Sequence, residues 1–540
     1  MQELEQRKQN YIKSAAILAA ASIFVKIIGA VYKIPIMNVL DDSGIGTFQV
    51  SYNVYTLIFT ISTAGIPAAL SRIVSTAAAT GKNSLVRRYF SVSLPAFVFI
   101  GAAAMLFMFL FADTFAGWMN NSMAAPGIRV LAPAVFFVCV ISVYRGYAQG
   151  FENMIPTAMS QVVEVICKAA FGIAAALWLV SRNYDSPVVS AGAIMGSTIG
   201  LGLSVPLLVW YKKRIDRGLD SGGDAGALPG RLRVFGELMK VSIPITLSAS
   251  FMSIMSVIDS SIVLGRLQTA LHLTERAASE QFGIYTKGLT IYNLPPAIVV
   301  PVSISIIPAI AAALARKRDG EAGGIMQSSV KLVNLIAMPA GAGLMVLARP
   351  ILAALFEESR QTAVTVLMIL GAASFFVCLQ YITTAILQAN GHERVALITF
   401  PIGAVIKIVI GYYLSGNPNI GVIGSPIGTL ACFIVISALN ITFIVFRVKE
   451  RPKFAAVFLK PLFCTAVMAA AAFFTHKLLH RFGSRLVGSG RWAVAAYLAG
   501  AIAVGVAVYA ALIIITRTIT KDDMALVPKG EKIAKILRIR

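Results

Sequence analysis

Two lysines, Lys26 and Lys33, stand seven residues apart in VKIIGAVYKIP (residues 25–35), a run otherwise suited to lipid. A lysine stem of about 6 Å cannot carry its ammonium from mid-membrane to water, so each charge requires a cavity or a partner. Ser22, Lys26, Gly29 and Lys33 follow i, i+4, i+7, i+11 spacing and form one stripe of a helix. The two charges then lie about 10 Å apart along the axis. A cavity lined by such groups attracts an anion, and the low dielectric strengthens the attraction. The alternative is pairing with buried carboxylates, of which Glu164 and Asp259 are the clearest in apolar segments. Asp259 is also the acidic residue best suited to bind a coupling ion.

Neutral polar stripes accompany the lysines. Gln49, Asn53, Thr56 and Thr60 share one face; Ser242, Thr246, Ser250 and Ser253 share another, with Asp259 and Ser260 beyond. Lys287, Thr290 and Asn293 precede Pro295-Pro296. Each stripe alone reads as a helix-packing surface in a membrane; together they favour one shared polar cavity, suited to a sugar or peptide headgroup. Glu164 and Lys168, at i and i+4, are expected to pair with each other. Lys407 lacks a matching acid, because Gly403 stands where one would be, which makes it the better site candidate. Arg72 and Arg145 are expected to snorkel from the ends of their spans.

Only a membrane protein positions such residues in this composition. Of 540 residues, 57% are hydrophobic and 13% charged, with a mean hydropathy of +0.79. Apolar stretches long enough to cross about 30 Å of hydrocarbon recur from end to end. A barrel would instead show short alternating segments. The reading is an all-α polytopic membrane protein of about 14 transmembrane helices, centred near residues 24, 62, 100, 138, 168, 200, 252, 297, 338, 375, 405, 433, 467 and 504. The net charge of +23 sits mainly in short loops on alternate sides, without a nucleic-acid motif, so no nucleic-acid partner is expected. With the N-terminus inside, cytoplasmic gaps such as GKNSLVRRY, YKKRIDRG, ARKRDGE and RVKERPK hold about 28 Lys and Arg against about 10 outside, placing both termini in the cytoplasm. The loop HKLLHRFGSRLVGSGRW breaks that pattern. The N-terminus has no signal-peptide pattern. All five cysteines lie in apolar segments and read as small buried hydrophobes.

An internal repeat organises the chain. FFVCVISVYRGYAQG (136–150) returns as FFVCLQYITTAILQA (375–389), and the same offset relates Lys168 to Lys407 and Gly172 to Gly411. Further on, GSTIG (196–200) is echoed by GSPIG (424–428). The expected domains are two pseudo-symmetric six-helix lobes, 1–217 and 237–450, joined by a cytoplasmic linker at 218–236. Spans 13 and 14 (451–516) and a basic tail (517–540) follow. Such parallel repeats predict a cavity between the lobes. No metal site or cofactor is expected. In the absence of a GxxxxGK[ST] motif, energy comes from an ion gradient, the membrane potential or a downstream reaction.

The stretch IFVKIIGAVYKIPIMNVLDDSGIGTFQVSYNVYTL, followed by STAGIPAALSR, resembles the stage V sporulation protein B group. That group belongs to the polysaccharide-exporter and MurJ branches of the multidrug/oligosaccharidyl-lipid/polysaccharide (MOP) flippase superfamily. The resemblance implies two six-helix lobes in a V plus two C-terminal helices. It also implies flipping of an undecaprenyl-pyrophosphate-linked saccharide, with lipid II as the leading candidate, to the outer leaflet by alternating access, in a bacterial cell membrane. By resemblance, Lys26 and Lys33 serve the pyrophosphate, although lysine lacks the bidentate fork of arginine. Asp42 matches an acidic position in the group's loop motif, and Lys287 lies about one turn from a basic residue of the MurJ branch. The implied substrate-binding set is Lys26, Lys33, Ser22, Gln49, Asn53, Lys287 and Lys407, with Asp259, Glu164 and Asp42 as ion-coupling or counter-ion groups. The partners are the lipid-linked saccharide, membrane lipids and cell-wall synthesis enzymes, around a monomer.

The rivals are an exporter of another lipid-linked polysaccharide unit, a multidrug or cation antiporter of the same superfamily, and a sporulation or division scaffold without transport. Two lysines and no acid in the first span would repel a cationic drug. A glycan-processing enzyme is disfavoured, since external loops of about 17 residues offer little room for positioned acid and base groups.

Overall fold

The computed structural model describes residues 21, 24, 25, 28, 29, 31–217, 229–316, 318–450, 452, 454–486 and 490–519. Every regular element among them is helical. In chain order these are α1 (Lys33–Val39), α2 (Asp42–Thr63), α3 (Ile66–Ala79), α4 (Asn83–Leu110), α5 (Ala112–Trp118), α6 (Ala125–Gly150), α7 (Ile155–Ser181), α8 (Ser186–Arg217) and α9 (Arg231–Thr269). Then come α10 (Glu275–Tyr292), α11 (Leu294–Ala315), α12 (Asp319–Val346), α13 (Ala348–Phe356), α14 (Gln361–Ala389), α15 (Ala396–Ser415), α16 (Gly424–Arg447), α17 (Phe454–Leu486) and α18 (Arg491–Ile515).

Thirteen stretches of the described residues are long and apolar enough to cross a membrane. Each contains one of the span centres expected from hydropathy, from 62 to 504. The remaining one, near residue 24, falls mostly outside the described residues, as do Ser22 and Lys26. Residues 218–228 and 520–540 also fall outside them, and α9 starts at Arg231, within the expected linker.

Lipid leaves no water for stray donors, and the sequence answers locally. Ser93, Thr60 and Thr63 donate their hydroxyls to the carbonyls of Tyr89, Thr56 and Phe59, four residues back. Large apolar side chains such as Phe99, Leu110, Tyr413 and Phe446 are exposed, as expected of surfaces that meet acyl chains.

The chain forms two compact units, 1–283 and 284–540. Unit 1 is built around α6, which packs on α2, α3, α4 and α8, while α7 lies along α8 and α9 along α2. One core there joins Ile66, Leu70 and Val74 of α3 to Phe90 of α4, Tyr147 of α6 and Leu238 of α9. In unit 2, α14 packs on α11, α12 and α16, and α15 lies along α16. Its core joins Ile306, Met326, Val330, Ile382, Ile386 and Ile444. Helices α17 and α18 form a hairpin on α12 and α13; Tyr509 anchors it by donating to the Leu335 carbonyl at 3.0 Å.

The internal repeat is present, with one change of register. Gly196 of α8 lies against the Lys168 carbonyl and Gly172, and Gly428 of α16 lies against the Lys407 carbonyl and Gly411. Likewise Gly192 meets Ala175, and Gly424 meets Leu414. The true mate of Gly196 is therefore Gly428, not Gly424. Glycines four apart occur in both GSTIG and GSPIG, so a slip of one helical turn matches the letters equally well. Side chains at these crossings would push the paired backbones apart.

A candidate anion-binding site

Lys33, at the start of α1, and Lys168, in the middle of α7, meet at Tyr52 of α2. The Lys168 ammonium lies 4.6 Å from the Tyr52 ring centroid and 5.2 Å from that of Tyr32. It donates to the Tyr52 hydroxyl at 3.4 Å. The Lys33 ammonium lies 5.8 Å from the same Tyr52 centroid. Among the described residues neither lysine pairs with a carboxylate. Aromatic faces offset the two like charges only in part, each such contact contributing about 0.5–2 kcal/mol. A site of this kind, half-buried among apolar helices, gains most from a third group carrying negative charge.

Helix α2 holds Tyr52 in place. Phe48, Tyr52, Tyr55 and Phe59 follow one another along it, with ring centroids 6.3, 5.7 and 5.8 Å apart. Asp41 caps the helix by accepting from the Gly44 amide at 2.8 Å. Asp42, the acid singled out from sequence, is the first helical residue and is half-buried.

The expected Glu164–Lys168 pair does not form. Glu164 accepts instead from Arg145 of α6 at 3.2 Å, and Arg145 also donates to Ser160 at 2.9 Å. A guanidinium reaching across from a neighbouring helix satisfies two acceptors at once, which one ammonium on the same helix could not do as well. Arg145 therefore does not simply snorkel, and Glu164 is its counter-ion. The consequence is that Lys168 is released to the aromatic pair.

Gln49 and Asn53 flank Tyr52 on α2. Gln49 donates to Asn53 at 2.7 Å, and Asn53 donates to Ser260 of α9 at 2.6 Å. Seven residues further along α2, Thr60 meets Ser253 at 3.1 Å, and the Gly65 amide donates to Thr246 at 3.0 Å. The two polar stripes thus close on each other as an antiparallel hydrogen-bonded seam, the packing alternative. Asp259 is half-buried beside Ser260.

Lys287 and Lys407 belong to unit 2. Lys287 of α10 is buried and donates to the equally buried Glu358 at 3.0 Å, in the turn between α13 and α14. Glu358 also accepts from the Arg360 amide at 3.0 Å and from its Nε at 2.8 Å. Burial alone would raise the Glu358 carboxyl, but the bonds from Arg360 and then Lys287 outweigh it and hold it at about 2. Lys407 is half-buried on α15. Unit 2 also contains an apolar cavity of about 460 Å³ between α11, α12, α17 and α18, lined by residues such as Ile298, Leu335, Leu344, Met468, Ile502 and Val506.

Sequence reasoning missed Tyr52, Tyr32 and the cap Asp41. The aromatic spacing at 48, 52, 55 and 59 was the available signal for Tyr52, since it marks one face of α2.

A family model described as polysaccharide biosynthesis protein matches residues 11–314, more than half of the chain. Stage V sporulation protein B of Bacillus subtilis (strain 168) is 26% identical over 538 residues, covering 96% of this chain and 98% of that protein. Lipid II flippase MurJ of the same organism is 24% identical over 417 residues, covering 74% and 76%. A solved structure of lipid II flippase MurJ in an inward closed conformation superposes with a TM-score of 0.68 at 15% identity, covering 93% of this chain and 98% of that one. The chain therefore belongs to the polysaccharide biosynthesis protein family, as a multi-pass membrane protein whose fold is similar to that of the solved MurJ structure.

Proposed function

We propose that this protein is a flippase. It carries an undecaprenyl-pyrophosphate-linked saccharide, with lipid II as the leading substrate, from the inner to the outer leaflet by alternating access, and both its termini are cytoplasmic. The observation that carries this reading is the meeting of Lys33 and Lys168 at Tyr52, without a carboxylate partner among the described residues. A pyrophosphate supplies the missing negative charge. Lysines contact it as point charges, which tolerates a diphosphate that must arrive and leave. Lys26, in the same stripe of the sequence, extends the path.

The remaining parts fit that task. The apolar cavity bounded by α17 and α18 offers hydrocarbon-like walls to part of a prenyl chain. Relatives named as a lipid II flippase and a sporulation protein support the same substrate class. An ion gradient or the membrane potential supplies the energy, with Asp259 as the acid on α9 that could sense it.

Translocation of fluorescent lipid II in proteoliposomes tests the proposal. Wild-type protein should move the lipid between leaflets. Failure with lipid II but success with another polyprenyl-pyrophosphate glycan would reassign the saccharide and keep the mechanism. Failure with every lipid-linked saccharide would overturn it.

A further inference from the structure

At the N-terminal end of α2, away from the lysine cluster, unit 1 contains an open cavity of about 500 Å³. Asp41, Ser43, Tyr184, Asp185, Ser186 and Arg276 provide its polar lining. That volume falls within the roughly 300–1,000 Å³ of small-molecule sites. We propose that this cavity is a saccharide-binding site, one that receives the sugar headgroup of the transported lipid; the transport part rests on the flippase reading above.

The chemistry selects the ligand class. Asp41 is held rigidly, accepting from Gly44 and from Ser186, with Arg276 3.9 Å away. The adjacent guanidinium opposes a bound cation, and the carboxylates of Asp41 and Asp185 oppose an anion. What remains is a neutral molecule rich in groups that both donate and accept. The Asp185 carboxylate is exposed and has no hydrogen-bond partner among the described residues, so it is available to accept from sugar hydroxyls. Tyr184 adds a flat surface: it stacks on Trp178 at 6.5 Å between centroids with planes 29° apart, and both rings are more than half exposed. Exposed aromatic faces of this kind cover the apolar C–H face of a pyranose, while carboxylate and guanidinium bind its edge. In the topology expected from loop charge, this end of α2 faces outside, where a flipped headgroup emerges.

The test uses the full chain in lipid nanodiscs and N,N′-diacetylchitobiose as probe, read by saturation-transfer NMR. Wild-type protein should give a saturable signal. Asp185→Asn and Tyr184→Ala should each weaken binding about fivefold to tenfold, the scale of one lost hydrogen bond or stacking contact. Lys33→Ala/Lys168→Ala should retain probe binding while losing translocation. Absence of binding by wild type, or binding indifferent to both pocket variants, would overturn the site. If wild type translocates a lipid-linked saccharide yet ignores the probe, only the pocket assignment fails. If it binds the probe through Asp185 and Tyr184 yet translocates nothing, the transport reading fails and the pocket stands.

Discussion

Lys168 stands 4.6 Å over the ring of Tyr52 and donates to its hydroxyl at 3.4 Å. The same ring receives Lys33 at 5.8 Å. One neutral side chain therefore gathers two cations from two helices, and removing the ring should scatter them. Tyr52→Ala should reduce translocation more than Tyr52→Phe, which keeps the face and loses only the hydroxyl. Initial rates in proteoliposomes would show the order; equal losses would mean that the hydroxyl alone matters.

Arg145 holds Glu164 at 3.2 Å, so Glu164 and Lys168 should be energetically independent despite their i, i+4 spacing. A double-mutant cycle on Glu164→Gln and Lys168→Met, read by thermal unfolding in detergent, should give a coupling below about 0.5 kcal/mol. The cycle on Arg145→Met and Glu164→Gln should give about 1–2 kcal/mol, because one partner left alone keeps its desolvation cost. A larger coupling for the lysine pair would contradict the assignment.

Glu358 links pH to stability. Its carboxyl lies near 2 in the folded protein against an ordinary 4.5, so the folded state favours the charged form. That stabilisation is complete above the ordinary value, and it is lost as pH falls from there through about 2. Thermal stability in detergent should therefore drop in acid, and Glu358→Gln should flatten the drop. The same substitution at neutral pH should cost about 3 kcal/mol, since Lys287 would remain buried without its counter-charge. An unchanged acid profile in the variant would assign the pH effect to other carboxylates.

The repeat makes a paired expectation at its glycines. A methyl group at Gly428 would stand 3.0 Å from the Lys407 carbonyl oxygen, whereas at Gly196 it would press closer still on the Lys168 carbonyl. Gly196→Ala should therefore destabilise more than Gly428→Ala, by about 1–3 kcal/mol on the scale of overpacking. It should also slow translocation, because it displaces the backbone that carries Lys168. Equal effects in unfolding assays would contradict the closer packing at Gly196.

The spans were legible in the sequence because a bilayer imposes length and hydropathy on each segment independently of its neighbours. Lys33 was legible for a similar reason, since a charge set in an apolar run is a local signal. Lys168 was visible as a charge, but its partner was not. Spacing within α7 pointed to Glu164, whereas α6 and α2 supply the groups that decide, and their approach is a property of packing. The seam between α2 and α9 shows the same limit. Its stripes were readable as faces, yet only the fold determines whether two polar faces enclose a cavity or bond to each other. The repeat was found through FFVC, Lys168 and Gly172, while the ambiguous glycine spacing hid the register of its second half.

The most direct measurement is lipid II translocation by the Lys33→Ala/Lys168→Ala double variant, compared with wild type at equal reconstituted amounts and matched thermal stability. If the two lysines hold the pyrophosphate, the initial rate should fall at least about tenfold, about 1.4 kcal/mol of lost interaction. A double variant that moves lipid II as fast as wild type would contradict that role.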